Sequence, residues 1–147
     1  MRRLLRQGAL LVGAIAAAAA LAQPQPPLPT VQLTAGMHVI RAELAADFGS
    51  RMQGLMFREA LGPNAGMLFV FDEASTHCMW MKNTLIPLSV AFIDERGTIV
   101  NIADMQPQTE QSHCAAKPVP YALEMAKGWF VQRGIKPGMK IGGLEKR

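Results

Sequence analysis

The sequence predicts a mostly β domain, a sandwich or partly closed barrel with one short packed helix. Three observations indicate this fold. About eight short segments alternate apolar and polar residues, or are apolar throughout, as half-buried and fully buried strands do. Turns that contain glycine or proline separate these segments at short intervals, which is typical of sandwiches and barrels. Only one segment, near residue 50, spaces its apolar residues as a helix does.

The first 22 residues are predicted to be a signal peptide that is removed. Three arginines within the first six residues precede an apolar stretch, Gly8–Ala20, and the small-x-small sequence at 20–22 fits a cleavage site. The apolar stretch is shorter than the roughly 20 residues of a membrane span. We therefore expect a periplasmic or secreted protein, cleaved near Ala22 and not inserted in the membrane. A retained membrane anchor is the alternative.

The charge of the chain argues against two classes of partner. Loss of the signal peptide removes three arginines and no acidic residue, so the formal charge falls from +4 to +1. Nucleic acid and anionic membranes both require an excess of basic surface. We therefore expect no nucleic-acid partner, and we expect a monomer.

A proline-rich segment joins the signal peptide to a single domain. Gln23–Thr30, QPQPPLPT, is predicted to be an extended, uncollapsed tether. The β-rich domain then occupies residues 31–147, with its folded part between about Val31 and about Leu144. A chain of this length buries about two thirds of its surface and needs no covalent staple to fold.

Turn-forming residues bound the predicted strands. In chain order, these strands are Val31–Ala35, His38–Ala45, Gly66–Phe71, Cys78–Lys82, Leu88–Ile93, Thr98–Ala103, Tyr121–Ala126 and Met139–Ile141. Gly97 occupies the hairpin position that needs a positive φ. Met105–Pro120 is predicted to be a long polar loop, and Trp129–Arg133 a single helical turn.

The predicted helix begins at Asp47 or Ser50, since both residue types cap helices, and Ser50-x-x-Gln53 fits a capping box. Three apolar residues follow with helical spacing, and we expect them to pack inward while Arg51 and Arg58 face elsewhere. They are Met52, Leu55 and Met56.

The segment HCMWMKN, residues 77–83, suggests two metal sites. His77, Met79 and Met81 alternate, so on a strand they share one face, and imidazole and thioether are ligands that Cu(I) favours. The repeated His-Cys pairs at 77–78 and 113–114 instead suggest a Cys2His2 site. Neighbouring strand residues point to opposite faces, which weighs against the second site. Core packing is the ordinary role of methionine.

Cys78 and Cys114 are predicted to form a disulfide. They are the only cysteines of a chain that we expect to be exported, where paired thiols oxidise. The bond would hold the polar loop over the Trp80–Asn83 end of the strand. A free catalytic cysteine is disfavoured for the same reason.

Polar residues at the ends of apolar segments suggest a ligand cleft or a structural network. Buried charges must be paired, so Arg58, Lys82 and Glu124 are expected to form one network. With an aromatic wall, these residues suit a small polar, anionic or polyhydroxylated ligand. The candidate ligand-binding residues are Arg58, Trp80, Lys82, Asn83, Thr84 and Glu124.

An enzyme is the third hypothesis, after a binding module and a Cu(I) site. A hydrolase or lyase would use Glu124 or Asp94 as base and Lys82 as electrostatic stabiliser. The sequence contains no nucleophile motif and no phosphate-binding glycine loop, so we predict no catalytic residue and no cofactor.

Six segments resemble the domain-of-unknown-function family 192, in the order typical of that family: GLMFREAL (54–61), GMLFVF (66–71), WMKNTLIPL (80–88), AFIDERGTIV (91–100), YALEMAKG (121–128) and GIKPGMKI (134–141). The resemblance covers essentially the whole domain and implies a small jelly-roll-like fold with one packed helix. It implies no activity.

The family pattern matches individual residues of this chain, with one departure. Ser89 stands where the family commonly has aspartate after IPL, which puts a carboxylate role there in doubt. The cysteine pair resembles a feature of exported members. The matching positions are Gly54, Arg58, Gly66, Trp80, Lys82, Asn83, Thr84, Pro87, Asp94, Gly97, Glu124 and Gly128.

Overall fold

The computed structural model describes residues 22–144. The predicted signal peptide therefore lies, except for Ala22, outside the described residues. The described part contains these strands and helices: β1 Thr30–Ala35, β2 His38–Ala45, α1 Phe48–Gln53, β3 Ala65–Ser75, β4 Cys78–Met79, β5 Leu88–Ile93, β6 Ile99–Met105, β7 His113–Cys114, β8 Val119–Ala126, α2 Trp129–Gln132 and β9 Ile141–Gly142.

Seven of these strands form one curled sheet in the order β6-β5-β8-β3-β2-β1-β9. Neighbouring strands are antiparallel except for β2 and β3, which are parallel. The two edges approach each other, because the backbone N–H of Ile99 donates to Met139 O and that of Ile141 donates to Gly97 O. The predicted class, a partly closed barrel of mostly β structure, is confirmed.

Each face of the sheet carries its own apolar core. The first core draws on all seven strands and therefore lies inside the curl; it includes Leu33, Ile40, Leu68, Ala91 and Leu123. The second core lies on the outer face of β3, β5 and β8, where the chain after α1 and the β4 region cover it; it includes Leu55, Met67, Phe69, Met81 and Phe92. The six residues of β5 are all buried because this strand has a core on each face.

The structure corrects several predicted elements. The strand expected over Cys78–Lys82 extends only over Cys78–Met79, because it pairs only with the two residues of β7. The predicted loop Met105–Pro120 contains that short strand. The single helical turn predicted over Trp129–Arg133 is confirmed as the short helix α2, Trp129–Gln132.

Asp47 is the residue that caps α1. Its carboxylate Oδ1 accepts from the N–H of Ser50 at 2.9 Å, and its own N–H donates to Ser50 Oγ at 3.3 Å. The capping box therefore begins one turn earlier than the Ser50–Gln53 box considered from the sequence. The helix ends at Gln53, before Gly54 with φ 49°.

The early end of α1 makes the predicted helix face partly wrong. Leu55 is buried, at 2% exposure, but Met52 is 53% exposed. The Arg51 side chain, expected to face solvent, is only 13% exposed. The i, i+3, i+4 rule fails here because Leu55 and Met56 follow the helix and are no longer on its face.

The proline-rich segment is bonded to the domain, although the sequence predicts an uncollapsed tether. Gln25 Nε2 donates to Ser50 O at 3.1 Å and to Gly54 O at 2.9 Å. The N–H of Leu28 donates to Glu43 Oε2 at 2.9 Å. Thr30 already belongs to β1. None of the helices found between residues 22 and 144 is long and apolar enough to cross a membrane.

Candidate functional site

A pocket with a volume of about 200 Å³ lies between α1, the β4 region and the outer face of β3 and β8. Aromatic rings and methionine side chains form most of its wall. The lining rings belong to Phe48, Phe69, Phe71 and Trp80, and the lining methionines are Met52, Met56 and Met79. Pockets of this composition, apolar with few polar groups, are typical small-molecule sites.

Glu124 is the one carboxyl group among the residues that line this pocket. Alternation along β8 places it on the outer face, where Ala122 also lies, and its register partners are Met67 on β3 and Val90 on β5. The residue is 4% exposed. The carboxyl group thus lies against apolar neighbours on both adjacent strands.

The Glu124 carboxyl has no hydrogen bond or ion pair with any residue between 22 and 144. Burial raises the pKa of Glu124 to about 8, because an apolar environment disfavours the charged form. The group is therefore mostly protonated at neutral pH. The Glu124 oxygens reach the open space of the pocket, since the enclosed and unbonded side-chain polar atoms of the described residues are Arg58 Nε and His113 Nε2. Carboxyls with a raised pKa in a cleft are characteristic of functional sites.

Arg51 is the only cationic side chain among the residues that line the pocket, and it is already engaged. Its Nη1 donates to Ala46 O at 2.7 Å and to Val70 O at 3.0 Å, and its Nη2 donates to Asp72 at 3.1 Å. These bonds hold α1 against β3. Arg51 therefore shapes the wall and has no free role as a counterion for Glu124.

The structure places three of the six candidate ligand-binding residues in this pocket and three outside it. Trp80, Thr84 and Glu124 line it. Whether any of the six residues binds a ligand stays a prediction. The other three, described next, are Arg58, Lys82 and Asn83.

The predicted network of Arg58, Lys82 and Glu124 is wrong. Arg58 pairs instead with Glu43, with Nη1 at 2.8 Å from Oε1 and Nη2 at 2.9 Å from Oε2. Burial works against ionisation of Glu43, but the bonds from Arg58 and from Leu28 N–H bring its pKa below the ordinary value. The sequence could not indicate this partner, because Glu43 lies on β2, 15 residues before Arg58.

Lys82 and Asn83 lie beside the pocket. Lys82 Nζ is 5.3 Å from the ring centroid of Trp80 and 4.0 Å from Glu110 Oε1. Asn83 adopts a positive φ of 54°, and its carbonyl accepts from the N–H of Phe57. Asn83 thus turns the chain at the end of the HCMWMKN segment.

The predicted disulfide between Cys78 and Cys114 is present, with Cα atoms 4.0 Å apart. Its two half-cystines are register partners in the β4–β7 ribbon. The loop before β7 then follows the chain after β4, since Met81 N–H donates to Thr109 O and Gln108 N–H to Thr84 O. Cys78 lines the pocket, so the bond secures one of its walls.

The disulfide makes the Cys2His2 hypothesis wrong, because both thiols are consumed. No group of three or more His, Cys, Asp and Glu side chains in the described part of the chain is placed to hold a metal ion. For the Cu(I) set, His77 stacks on Phe71 with ring centroids 3.7 Å apart, and Met81 lies in the second core. Cu(I) binding by His77, Met79 and Met81 stays a prediction.

Asp94 has a structural position that separates it from the pocket. Its Oδ1 accepts from the N–H groups of Arg96 and Thr98 and closes the β5–β6 turn. Gly97 in the same turn has the predicted positive φ, 80°. A pairing of Asp94 with Lys82 as base and stabiliser therefore has no support in the geometry.

Most of the pocket wall is not predicted by the sequence. Met52 and Met56 are expected on the inward face of the helix, Phe69 and Phe71 in a buried strand, and Phe48 in no particular role; nothing in their spacing distinguishes a wall from a core. The signal that did point to the pocket was Glu124, a carboxyl that interrupts the apolar segment YALEMA.

These features define a class: a small, curled β domain with an apolar pocket on the outer face of its sheet and a carboxyl group in that pocket. Residues 31–143 match the DUF192 family, described as an uncharacterized ACR. The chain belongs to this domain-of-unknown-function family, as the six sequence segments predict. No curated protein matches the chain.

Two solved structures are similar to this chain. A proposed transcription regulator from Sinorhizobium meliloti is 38% identical, with a TM-score of 0.73, over 79% of this chain and 93% of that one. A protein of unknown function from Novosphingobium aromaticivorans is 38% identical, with a TM-score of 0.76, over 85% of this chain and 93% of that one. Both likenesses support the fold, and neither supplies an activity.

Proposed function

We propose that the protein is an exported binding module whose pocket takes a small, mainly apolar ligand with one polar group placed at Glu124. The observation that carries this proposal is a carboxyl, 4% exposed, that has no bonded partner among residues 22–144 and lies in the wall of an apolar pocket. The disulfide is compatible with export. A ligand that bonds to Glu124 would offset the cost of burying it unpaired.

The mouth of the pocket also supports a binding role. Phe48 is 74% exposed, and Met52 and Trp80 are exposed beside it, so three large apolar side chains meet solvent around one opening. Exposed apolar surface of this kind typically marks an interaction site. Methionine side chains adapt to ligands of different shape. A mainly apolar ligand fits this wall better than the polyhydroxylated ligand expected from the sequence.

The test is ligand-observed NMR with a set of small aromatic and aliphatic fragments that carry neutral, cationic or anionic groups. We expect some fragments to bind the protein, and we expect Met52→Gln to weaken their binding. The matched control is Met37→Gln, since Met37 is exposed in the β1–β2 turn and does not line the pocket. Absence of fragment binding, or equal weakening by both variants, would contradict the proposal.

The soft-metal alternative has less support. His77 Nε2 lies 2.9 Å from Glu73 O, and its ring is stacked on Phe71, so a metal would have to displace both contacts. A Cu(I) titration under anaerobic conditions tests this alternative. Tight binding that is lost in His77→Ala with Met79→Leu would favour it over the organic ligand.

A role in transcription, which the name of the Sinorhizobium meliloti protein suggests for that protein, has less support in this chain. The charge after signal-peptide removal, as proposed, falls from +4 to +1 because three arginines are lost. DNA binding depends on many Lys and Arg contacts with phosphates. A small ligand in the pocket accounts better for the described site.

A further inference from the structure

We propose that the ligand of this pocket is a cation, a small organic amine or quaternary ammonium with an apolar body, and that Glu124 is its counterion. This inference rests on the proposed binding function and specifies its ligand class. Both proposals concern the same pocket, and this one adds that the ligand carries a positive charge.

The first argument is charge balance. Glu124 is buried and unpaired, while Arg51, the one cation of the pocket wall, is occupied by Ala46 O, Val70 O and Asp72. Buried carboxylates in proteins are paired with a cation or become neutral. The chain between residues 22 and 144 supplies no cation to Glu124, so this carboxyl is mostly neutral at pH 7 in the free protein. An ammonium group from a ligand would supply the cation that allows it to ionise.

The second argument is the aromatic wall. Ring faces attract cations, most strongly those of tryptophan. The protein already uses Trp80 in this way, because the Lys82 ammonium lies 5.3 Å from its ring centroid. Glu110, 4.0 Å from Lys82, partly balances the charge of that lysine at the mouth. The pocket therefore contains two kinds of group that bind an alkylammonium: aromatic rings and a carboxyl.

An anionic ligand fits the pocket less well than a cation, because it would place its charge against Glu124 and could bind only while that carboxyl is protonated. Its affinity should therefore fall as the pH rises through 8. A neutral ligand that accepts a hydrogen bond from protonated Glu124 is the remaining rival. The pH dependence of binding separates that rival from the cation.

Cation binding requires ionised Glu124, so below pH 8 the carboxyl must release a proton as the amine binds. The affinity for a permanently charged amine should therefore rise with pH, by about tenfold per unit well below the pKa, and level off above it. A neutral acceptor behaves in the opposite way, because it needs the protonated carboxyl. Its affinity should be constant below pH 8 and fall above it.

The experiment compares three probes of one shape by calorimetry at pH 6.5, 7.5 and 8.5: 2-phenylethylamine, 2-phenylethanol and 3-phenylpropionate. We expect the amine to bind the purified protein at least about tenfold more tightly than the alcohol at pH 7.5, the value of one charge-assisted hydrogen bond. Binding heats measured in buffers of different ionisation enthalpy report how many protons are released. We expect release of close to one proton per bound amine at pH 6.5. The propionate should bind most weakly.

The matched variant is Glu124→Gln, which keeps the shape of the side chain but cannot ionise. It should lose the preference for amine over alcohol and the pH dependence of binding. Should this variant not fold, proton release by the unmodified protein decides the question alone.

Two outcomes distinguish the inference from the proposed function. Tighter binding of the alcohol than of the amine, or amine binding without proton release, would overturn the cation inference and leave the binding module intact. Failure of all three probes and of the whole fragment set would overturn both.

Discussion

The carboxylate of Glu43 and the guanidinium of Arg58 form a two-bond ion pair, with N–O distances of 2.8 and 2.9 Å. This pair joins β2 to the chain after α1, and Glu43 also accepts from Leu28 N–H in the proline-rich segment. It is distinct from the pocket, since neither residue lines it. Its role is therefore to hold three segments of the chain together.

Arg58→Ala should lower the free energy of unfolding by about 2–4 kcal/mol, because it leaves a half-buried carboxylate without its cation. Urea unfolding at pH 7 measures this change. Arg41→Ala is the control, since Arg41 is exposed on the same strand as Glu43, and it should cost less than about 0.5 kcal/mol. Equal costs for the two variants would show that the ion pair contributes nothing.

Glu124 should make the protein less stable as the pH rises. Its pKa is about 8 in the folded state against a reference of 4.5, so folding favours the protonated form. The contribution of protonated Glu124 to the free energy of unfolding is complete below pH 4.5 and is lost progressively as the pH rises toward 8. The loss amounts to about 1.4 kcal/mol for each unit by which the folded and unfolded pKa values differ. Unfolding of the wild type and of Glu124→Gln between pH 5 and 8.5 tests this. We expect the stability of the variant not to decline over this pH range. An equal decline in both proteins would contradict the prediction.

Loss of the disulfide should destabilise the protein and weaken ligand binding together. Cys78 and Cys114 are separated by 36 residues, and closing a loop of that length stabilises by about 4 kcal/mol on the loop-entropy model. The double variant Cys78→Ala, Cys114→Ala should show this loss, and reduction by a dithiol should reproduce it. Mass spectrometry of exported protein should find no free thiol; two free thiols would contradict the bond.

Ser89→Asp should be destabilising, although the family resemblance of the sequence implies aspartate at this position. Ser89 is buried, and its Oγ donates to Asp104 Oδ1 at 2.6 Å and accepts from Gly128 N–H at 3.0 Å. A second carboxylate there would lie against Asp104 and cost about 1–3 kcal/mol at pH 7. Adding Asp104→Asn should restore most of the loss in thermal unfolding. A stable single variant would show that the site tolerates both charges.

Leu55→Ala should cost about 2–5 kcal/mol, since Leu55 is fully buried in the second core. Met52→Ala, three residues earlier, should cost less than about 1 kcal/mol because Met52 is exposed at the pocket mouth. Urea unfolding of both variants measures the contrast. Similar costs would mean that the segment after α1 packs differently.

Local signals were enough to predict most of the fold. Period-two alternation placed His38–Ala45, and a mainly apolar segment next to the Asp94–Gly97 turn placed Leu88–Ile93, within the bounds that the structure has. The two cysteines predicted their own bond, because two thiols can pair in one way and the expected export favours their oxidation. Apolar alternation and cysteine number are properties of the chain itself, so they can be interpreted before folding is known.

The site depended on contacts between distant segments, and the sequence could not show them. Glu124 was identified as unusual, but its assumed partner Arg58 was already bound to Glu43. The segment HCMWMKN is a strand only at Cys78–Met79, because strand length is decided by the partner, here the two residues of β7. The pocket joins residues from Phe48 to Glu124. Which apolar side chain lines a pocket and which fills a core is set by the neighbouring segment that covers it, and tertiary packing alone supplies that neighbour.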